Sequence, residues 1–161
     1  MSGADYFAKH HITESILYYY RYDEKANTLC IIHDYVDFVM MKTREQAQRD
    51  RDCEFHKLVF RGIKRLSRKV IAIPYRGIEI YDAEKGMGGN AIYDVHYSKF
   101  DGLHRFQAQL TNFGKLDILF ADLEVEKRRL KYDKRKSEND PIVYRDVATG
   151  KIVEGLHAFK V

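Results

Sequence analysis

Short apolar and aromatic runs recur along this chain with polar turns between them. Runs spaced by about 8–12 residues are typical of antiparallel β proteins. Residues 15–22 and 28–40 flank the polar turn D-E-K-A-N, and this arrangement predicts a long hairpin. Two further runs follow at 55–63 and 69–73, and Pro74 ends the second because proline has no amide hydrogen for a ladder. The pattern predicts an all-β or β-dominated fold.

Residues 91–126 carry the most specific pattern, which predicts a three-stranded meander. Asp101-Gly102 is typical of a two-residue hairpin turn, and the loop 111–115 would make the second connection. One residue of slip would mix apolar and polar faces, so the apolar pattern selects a register. The predicted apolar pairs are Phe100–Leu103, Tyr97–Phe106, Val95–Ala108, Tyr93–Leu110, Leu110–Leu116, Ala108–Ile118 and Phe106–Phe120.

The opposite face of this meander is polar. The same register places His96 beside Gln107 and Asp94 beside Gln109. Antiparallel sheets commonly leave one face in water, so a solvated face is one interpretation. A polar binding surface is the other, and the sequence leaves both open.

Outside the meander, two segments complete the layout. Residues 42–52 are polar apart from Ala47, and Thr43 with Gln46 could form a capping box, so a short helix or a loop is expected there. A last hairpin near the C-terminus turns at Gly150. Residues 1–161 are therefore predicted to form one β-rich domain, an antiparallel two-sheet sandwich or open barrel with one short helix.

Composition narrows the class of protein without naming a function. The formal net charge of +4 is mildly basic and does not by itself imply a polyanionic partner. Two cysteines are too few for a disulfide framework. The first residues lack the apolar stretch of a signal peptide, and no apolar run approaches the roughly 18 residues of a membrane span. We expect a cytoplasmic protein with no membrane contact.

The glycine-rich stretch K-G-M-G-G-N-A at residues 85–91 matches the spacing of a dinucleotide-binding loop. Such a loop needs a helix after it, because the helix N-terminus holds the pyrophosphate. The next residues alternate with period two and predict a strand instead. The glycines are interpreted as a connection between strands, and no cofactor is expected.

Two Cys-x-x-His units form a weak candidate set for zinc: Cys30 with His33, and Cys53 with His56. Cys30 and His33 lie in a predicted strand, where residues three apart point to opposite faces, and neither unit has the glycine that commonly turns a zinc knuckle. We expect Cys30 to pack as a small apolar residue and the protein to hold no metal.

Catalytic signals are weaker still. The predicted register places His104 opposite Asp122, a pair that could transfer protons or form a rim ion pair. The sequence contains no nucleophile motif. No catalytic residues are assigned, and enzyme status is unsupported.

Basic residues cluster at 61–69 and 127–136, the second within an exposed segment predicted over 127–140. Basic residues interleaved with aromatic ones suit phosphate contacts and base stacking. A nucleic-acid-binding module is therefore the alternative function. Its candidate residues are Lys127, Arg128, Arg129, Lys131, Lys134, Arg135 and Lys136.

Tyrosines dominate the first predicted strand and carry the preferred function. Tyr18, Tyr20 and Tyr22 would share one face, and exposed tyrosine is enriched at protein interfaces. A central strand buried on both sides is the competing interpretation. We predict a small non-enzymatic binding or accessory protein, similar in layout to immunity or adaptor proteins. Its partner would be another protein, contacted through these tyrosines together with His96 and Gln107.

Overall fold

The computed structural model describes residues 2–35, 52–69, 78–85, 89–133, 143–156 and 159–160. All the strand pairs within these ranges are antiparallel, which confirms the predicted β-dominated fold. The elements are α1 (Gly3–Lys9), β1 (Ile16–Asp23), β2 (Thr28–Tyr35), β3 (Asp52–Arg61), β4 (Arg65–Lys69), β5 (Ile78–Asp82), a 3-10 helix (Ala83–Lys85), β6 (Asn90–Phe100), β7 (Leu103–Leu110), β8 (Gly114–Phe120), β9 (Asp122–Asp133), β10 (Val143–Asp146) and β11 (Ile152–Glu154).

Two long bent strands form the framework of the sheet. β3 continues into β4 after three residues, and β8 continues into β9 after one. β3 pairs with β9, and β4 pairs with β8. At the bend the amide of Ala121 donates to the carbonyls of Arg61 and Gly62 at 3.1 and 3.2 Å, and the amide of Lys64 donates to the carbonyl of Leu119 at 2.8 Å. The ladder therefore continues around the corner.

The remaining pairings close the sheet on itself. β8 pairs with β7, β7 with β6, β6 with the start of β1, β1 with β2, and β2 with β3. β5 pairs with the rest of β1, while β10 and β11 extend outward from β9. The result is one closed sheet with an interior, in place of two facing sheets.

The alternation of side chains along β2 separates two apolar cores. In β2, Leu29 and Ile31 point into the closed sheet, whereas Cys30 and Ile32 point outward. The interior cluster consists of Tyr6, Ile12, Leu17, Tyr20, Leu29, Ile31, Leu58, Phe60, Ile63, Tyr81, Ile92, Phe106, Ala108, Leu110, Leu116, Ile118, Phe120 and Leu123. The outer cluster is covered by Tyr144 of β10 and by Leu156 and Phe159 near the C-terminus.

Helix α1 lies at the N-terminus, where no helix was predicted. The hydroxyl of Ser2 accepts from the amide of Asp5 at 3.2 Å and caps the first turn. Tyr6 is fully buried in the interior core, and the ring of Phe7 stacks on Tyr97. The helix predicted near 43–52 falls mainly outside the described residues, and Asp52 begins β3.

The first turn of the meander is confirmed, but its register is broken by a bulge. Asp101 and Gly102 both have positive φ, as a type I′ turn requires. Beyond His96, which faces Gln107 as predicted, β6 gains one residue relative to β7. Tyr93 therefore lies opposite Gln109, and the predicted pairs Tyr93–Leu110 and Val95–Ala108 are wrong.

The second turn of the meander is tighter than predicted. Leu110 pairs with Gly114, so three residues make the connection, and Gly114 adopts a φ of 85°. The predicted β7–β8 pairs are wrong by two positions, and the observed apolar pairs are Phe106–Ile118 and Ala108–Leu116. A shift of two keeps each side chain on its predicted face, so the apolar interior survives the error. The C-terminal hairpin is confirmed as β10 and β11, with Gly150 at a φ of 71°.

Gly62 at the corner between β3 and β4 gives the first testable prediction. Its φ is +64°, and an added Cβ would lie 2.9 Å from the Cβ of Ala121. We expect Gly62→Ala to lower the free energy of unfolding by about 2 kcal/mol, through left-handed backbone strain and this close contact.

A graded series of glycine variants separates these two causes by urea denaturation. Gly102→Ala carries the positive φ without a neighbour and should lose about 1 kcal/mol. Gly89→Ala has neither feature and should be unchanged. Equal losses at Gly62 and Gly102 would contradict a steric corner.

Candidate functional site

A polar groove of about 370 Å³ lies on the outer face of the meander formed by β6, β7 and β8. It occupies the face that the sequence identified as polar, and it includes both His96 and Gln107. Its lining residues are Asp94, His96, Gln107, Ala108, Gln109 and Lys115.

The bulge in β6 shapes this groove. Two residues, Asp94 and Val95, lie between the pairs Tyr93–Gln109 and His96–Gln107, where β7 has only Ala108. Asp94 takes a φ of 51°, in the left-handed region that disfavours side chains but that aspartate tolerates. Bulges redirect side chains out of the regular alternation of a strand. The bulge thus places Asp94 in the lining of the groove together with His96.

A network of hydrogen bonds and one ion pair holds Gln107, a lining residue of the groove, in place. Arg105 donates to both carboxylate oxygens of Asp117, at 3.1 and 2.8 Å. This bidentate bond holds the pKa of Asp117 below its ordinary value, so the carboxylate stays charged. The amide nitrogen of Gln107 donates to the same carboxylate at 3.4 Å. Gln107 is therefore oriented, and its amide oxygen remains as an acceptor.

Tyr93 lies opposite Gln109 and is 37% exposed, which makes it an exposed aromatic side chain beside a polar groove. The predicted register had placed it in the apolar interior. The bulge exchanges it for Ile92, which faces Leu110 and is buried.

The tyrosines of β1 lie differently from the predicted interface. Tyr20 is fully buried in the interior core, and Tyr22 packs against the same core. Tyr18 is half-buried and meets Phe55 edge to face, with ring centroids 5.3 Å apart. Tyr20 is corrected from a surface residue to a core residue, because β1 is buried on both faces. The three tyrosines also do not share one face, because the register of β1 shifts between Leu17 and Tyr19 and leaves Tyr18 against the outer core.

A second polar cluster lies inside the closed sheet beneath α1. The hydroxyl of Tyr6 lies 3.1 Å from Nε2 of His33 and 2.7 Å from Nδ1 of His56. Nδ1 of His33 contacts the carbonyl oxygen of Asp34 at 2.7 Å, and Nε2 of His56 contacts Oε1 of Glu54 at 2.7 Å. The two histidines are fully buried direct neighbours across β2 and β3.

Burial controls the ionisation of this cluster. Desolvation lowers the pKa of His33 to about 3, with the charge of His56 adding to the effect. Desolvation also lowers the pKa of His56, although the Glu54 carboxylate partly restores it. The hydrogen bond from His56 lowers the pKa of Glu54, and burial raises the pKa of the Tyr6 hydroxyl. Both imidazoles are therefore neutral at pH 7.

The four residues of the predicted zinc set do not come together, but its two histidines do. Cys30 packs in the outer core, on the opposite face from His33, as the strand geometry requires. Cys53 lies in β3, but its side chain is outside the described residues. In the described ranges no three His, Cys, Asp or Glu side chains converge as a metal-binding group. The histidines meet because β2 pairs with β3. Cys-x-x-His spacing along the chain carries no information about this pairing.

The predicted pair of His104 and Asp122 does not form. His104 lies opposite Phe120, and its Nδ1 meets the hydroxyl of Tyr97. Asp122 lies opposite Arg61 on β3. The two-residue shift in the β7–β8 register accounts for the error.

Acidic neighbours neutralise part of each basic segment. Arg61 pairs with Glu124 at 2.9 Å, and Arg65 approaches Asp117 at 3.9 Å. Arg128 bonds Glu126 and lies over the ring of Phe159. Lys127, Arg129 and Lys131 are exposed and alternate along one side of β9, and Nζ of Lys127 lies 2.8 Å from Nε2 of His10. The candidates Lys134, Arg135 and Lys136 lie outside the described residues.

Strand β6 begins at Asn90, directly after the glycine-rich stretch, whose residues 86–88 are outside the described part of the chain. The predicted strand is confirmed at the place where a dinucleotide-binding loop would need a helix.

None of the described helices is long and apolar enough to cross a membrane. Comparisons with protein-family models, with curated proteins and with solved structures found no significant match.

Proposed function

We propose that this chain is a non-enzymatic binding protein that contacts a protein partner through the groove on β6, β7 and β8. The observation that carries the proposal is the left-handed Asp94 at a bulge, which lines the groove together with His96 and Gln107. A left-handed conformation costs a non-glycine residue some free energy, and such positions cluster at functional sites.

The chemistry of the groove suits an extended polypeptide segment with polar side chains. Asp94 and the amide oxygen of Gln107 offer acceptors, while Lys115 and Gln109 offer donors. Tyr93 stands exposed at the side of the groove and provides an aromatic surface, and tyrosine is enriched at the energetic centres of interfaces.

Pre-organisation supports binding at this face. Gln107 is held by Asp117, and Asp117 is held by Arg105, so the floor loses little freedom when a partner docks. Side chains fixed before association avoid an ordering cost of about 0.5–1.5 kcal/mol each.

Asp94→Gly separates the folding role of this position from its binding role. Glycine relieves the left-handed strain, so we expect the free energy of unfolding to rise by about 0.5–1 kcal/mol. The same change removes the carboxylate, so partner retention should fall at least about tenfold, the effect of losing one charged hydrogen bond. Urea denaturation and quantitative affinity capture measure the two effects.

The capture experiment uses immobilised protein and native lysate from the source cells, with and without nuclease. His96→Ala with Gln107→Ala tests the groove, and Lys25→Ala in the exposed β1–β2 turn is the matched control. The proposal requires a nuclease-resistant protein that wild type and the control retain and that the groove variant and Asp94→Gly lose. Equal retention by all four would remove the groove as the site. Nuclease-sensitive capture, lost in Arg129→Glu with Lys131→Glu, would favour the nucleic-acid alternative.

A further inference from the structure

We propose that Tyr6, His33 and His56 form a binding site for one divalent transition-metal ion beneath helix α1. The ligand atoms would be the Tyr6 phenolate oxygen, Nε2 of His33 and Nδ1 of His56. They come from α1, β2 and β3, and all three side chains are fully buried. This site lies inside the closed sheet and does not depend on the groove.

The tautomer of His33 follows from its outer contact. A carbonyl oxygen can only accept, so Nδ1 of His33 must carry the proton that it donates to Asp34 at 2.7 Å. In the neutral ring, Nε2 then bears a lone pair, and that lone pair faces the Tyr6 hydroxyl at 3.1 Å.

The same reasoning fixes His56. Its Nε2 lies 2.7 Å from a carboxylate oxygen of Glu54, which accepts this hydrogen bond. Nε2 carries the proton, and Nδ1 bears a lone pair directed at the Tyr6 oxygen at 2.7 Å.

The cluster therefore lacks one proton that a complete set of hydrogen bonds would need. Two nitrogen lone pairs converge on one hydroxyl, which has a single proton to donate. Leaving one such contact unmade in a fully buried place costs about 1–3 kcal/mol. A cation that displaces the phenol proton would accept electron pairs from the oxygen and from both nitrogens at once.

The outer contacts have the form that metal-binding histidines use. A metal-ligating imidazole almost always donates its second N–H to a carboxylate or a backbone carbonyl, and this cluster shows one example of each. The phenolate and the Glu54 carboxylate together balance the two charges of a divalent ion.

Ligand type and distance indicate the class of metal. Two imidazoles and one phenolate suit Zn²⁺ and its neighbours, and water could take a fourth position. Ligand atoms of a tetrahedral Zn²⁺ site lie about 3.3 Å apart. The oxygen–nitrogen distances of 2.7 and 3.1 Å would have to open by about 0.6 and 0.2 Å to reach this separation.

Titration of the EDTA-treated full chain with Zn²⁺, followed by calorimetry, tests the site. We expect one equivalent to bind to wild type with a dissociation constant at or below the micromolar range. Tyr6→Phe keeps the buried ring and should weaken binding at least about tenfold, and His33→Gln should weaken it further. His11→Gln, at an exposed position next to α1, is the matched control and should bind like wild type.

Two measurements on wild type keep the test valid if a variant fails to fold. Co²⁺ in place of Zn²⁺ should give the visible absorption of a four-coordinate nitrogen and oxygen site. Nitrogen-15 NMR of the histidine rings should show neutral His56 without metal and a shifted Nδ1 with it. The proposal is overturned if wild type binds no stoichiometric Zn²⁺, if Tyr6→Phe binds as tightly as wild type, or if the metal-free protein holds an imidazolium at His56.

Discussion

Acidification of the metal-free protein is expected to lower its free energy of unfolding steadily from about pH 6.5 towards pH 3. His33 has an ordinary pKa of 6.5 in the unfolded chain, but burial lowers its pKa to about 3 in the fold. The unfolded state therefore binds a proton that the folded state refuses, so stability is complete above pH 6.5 and is lost as the pH falls. One such group contributes a loss of about 4 kcal/mol by pH 3.5, at 1.4 kcal/mol for each pKa unit.

Urea denaturation in EDTA at a series of pH values measures this loss. His33→Gln removes the titrating group, so its stability should vary less between pH 6.5 and 4 than that of wild type. His11→Gln is the matched control, because it replaces a histidine at an exposed position. The lowered pKa values of His10 and His56 add to the wild-type slope in the same direction. Identical slopes for wild type and His33→Gln would contradict a neutral, buried His33.

Phe60→Ala is expected to cost about 4 kcal/mol of folding free energy. Phe60 is fully buried in the interior core, with its ring 4.8 Å from Phe120 and 5.7 Å from Phe106, measured between centroids. Truncation removes apolar burial and leaves a cavity that neighbouring strands cannot fill, because a closed sheet restricts their movement. A loss of this size is a large part of the roughly 5–15 kcal/mol that stabilises a typical domain.

Ile80→Ala provides the matched comparison. Ile80 lies on β5, and its side chain is 48% exposed, so the same kind of truncation should change stability by less than about 1 kcal/mol. Chemical denaturation of both variants at pH 7 gives the two values. A loss below 1.5 kcal/mol for Phe60→Ala would mean that the interior is loosely packed.

The local parts of this fold could be predicted from sequence because local chemistry determines them. The Asp101-Gly102 turn requires positive φ at two positions, and few residue pairs supply it as readily. The alternation in β7 and β8 identified the interior face correctly even though the register was wrong by two. The bulge at Asp94 could not be predicted in this way. One extra residue changes the apolar alternation over only a few positions, and so short a change does not stand out in the sequence.

The buried cluster illustrates what the sequence alone does not contain. His33 and His56 are neighbours because β2 pairs with β3. The sequence between these strands contains no glycine or proline that would signal a turn and so predict this register. Tyr6 joins them from a seven-residue helix whose apolar pattern is too short to recognise. Spacing along the chain paired each histidine with a cysteine, whereas the fold pairs the histidines with each other.

The two bent strands also determine when the protein can complete its fold during synthesis. β3 and β4 are made early, but their partners β8 and β9 end only at Asp133. Until that part of the chain leaves the ribosome, the inward side chains of the first three strands, Phe60 among them, lack the later strands against which they pack in the finished fold. Pairings so distant in sequence form slowly, and the waiting strands expose apolar edges. Translation speed across residues 61–133 and access to chaperones are therefore expected to affect the yield of folded protein.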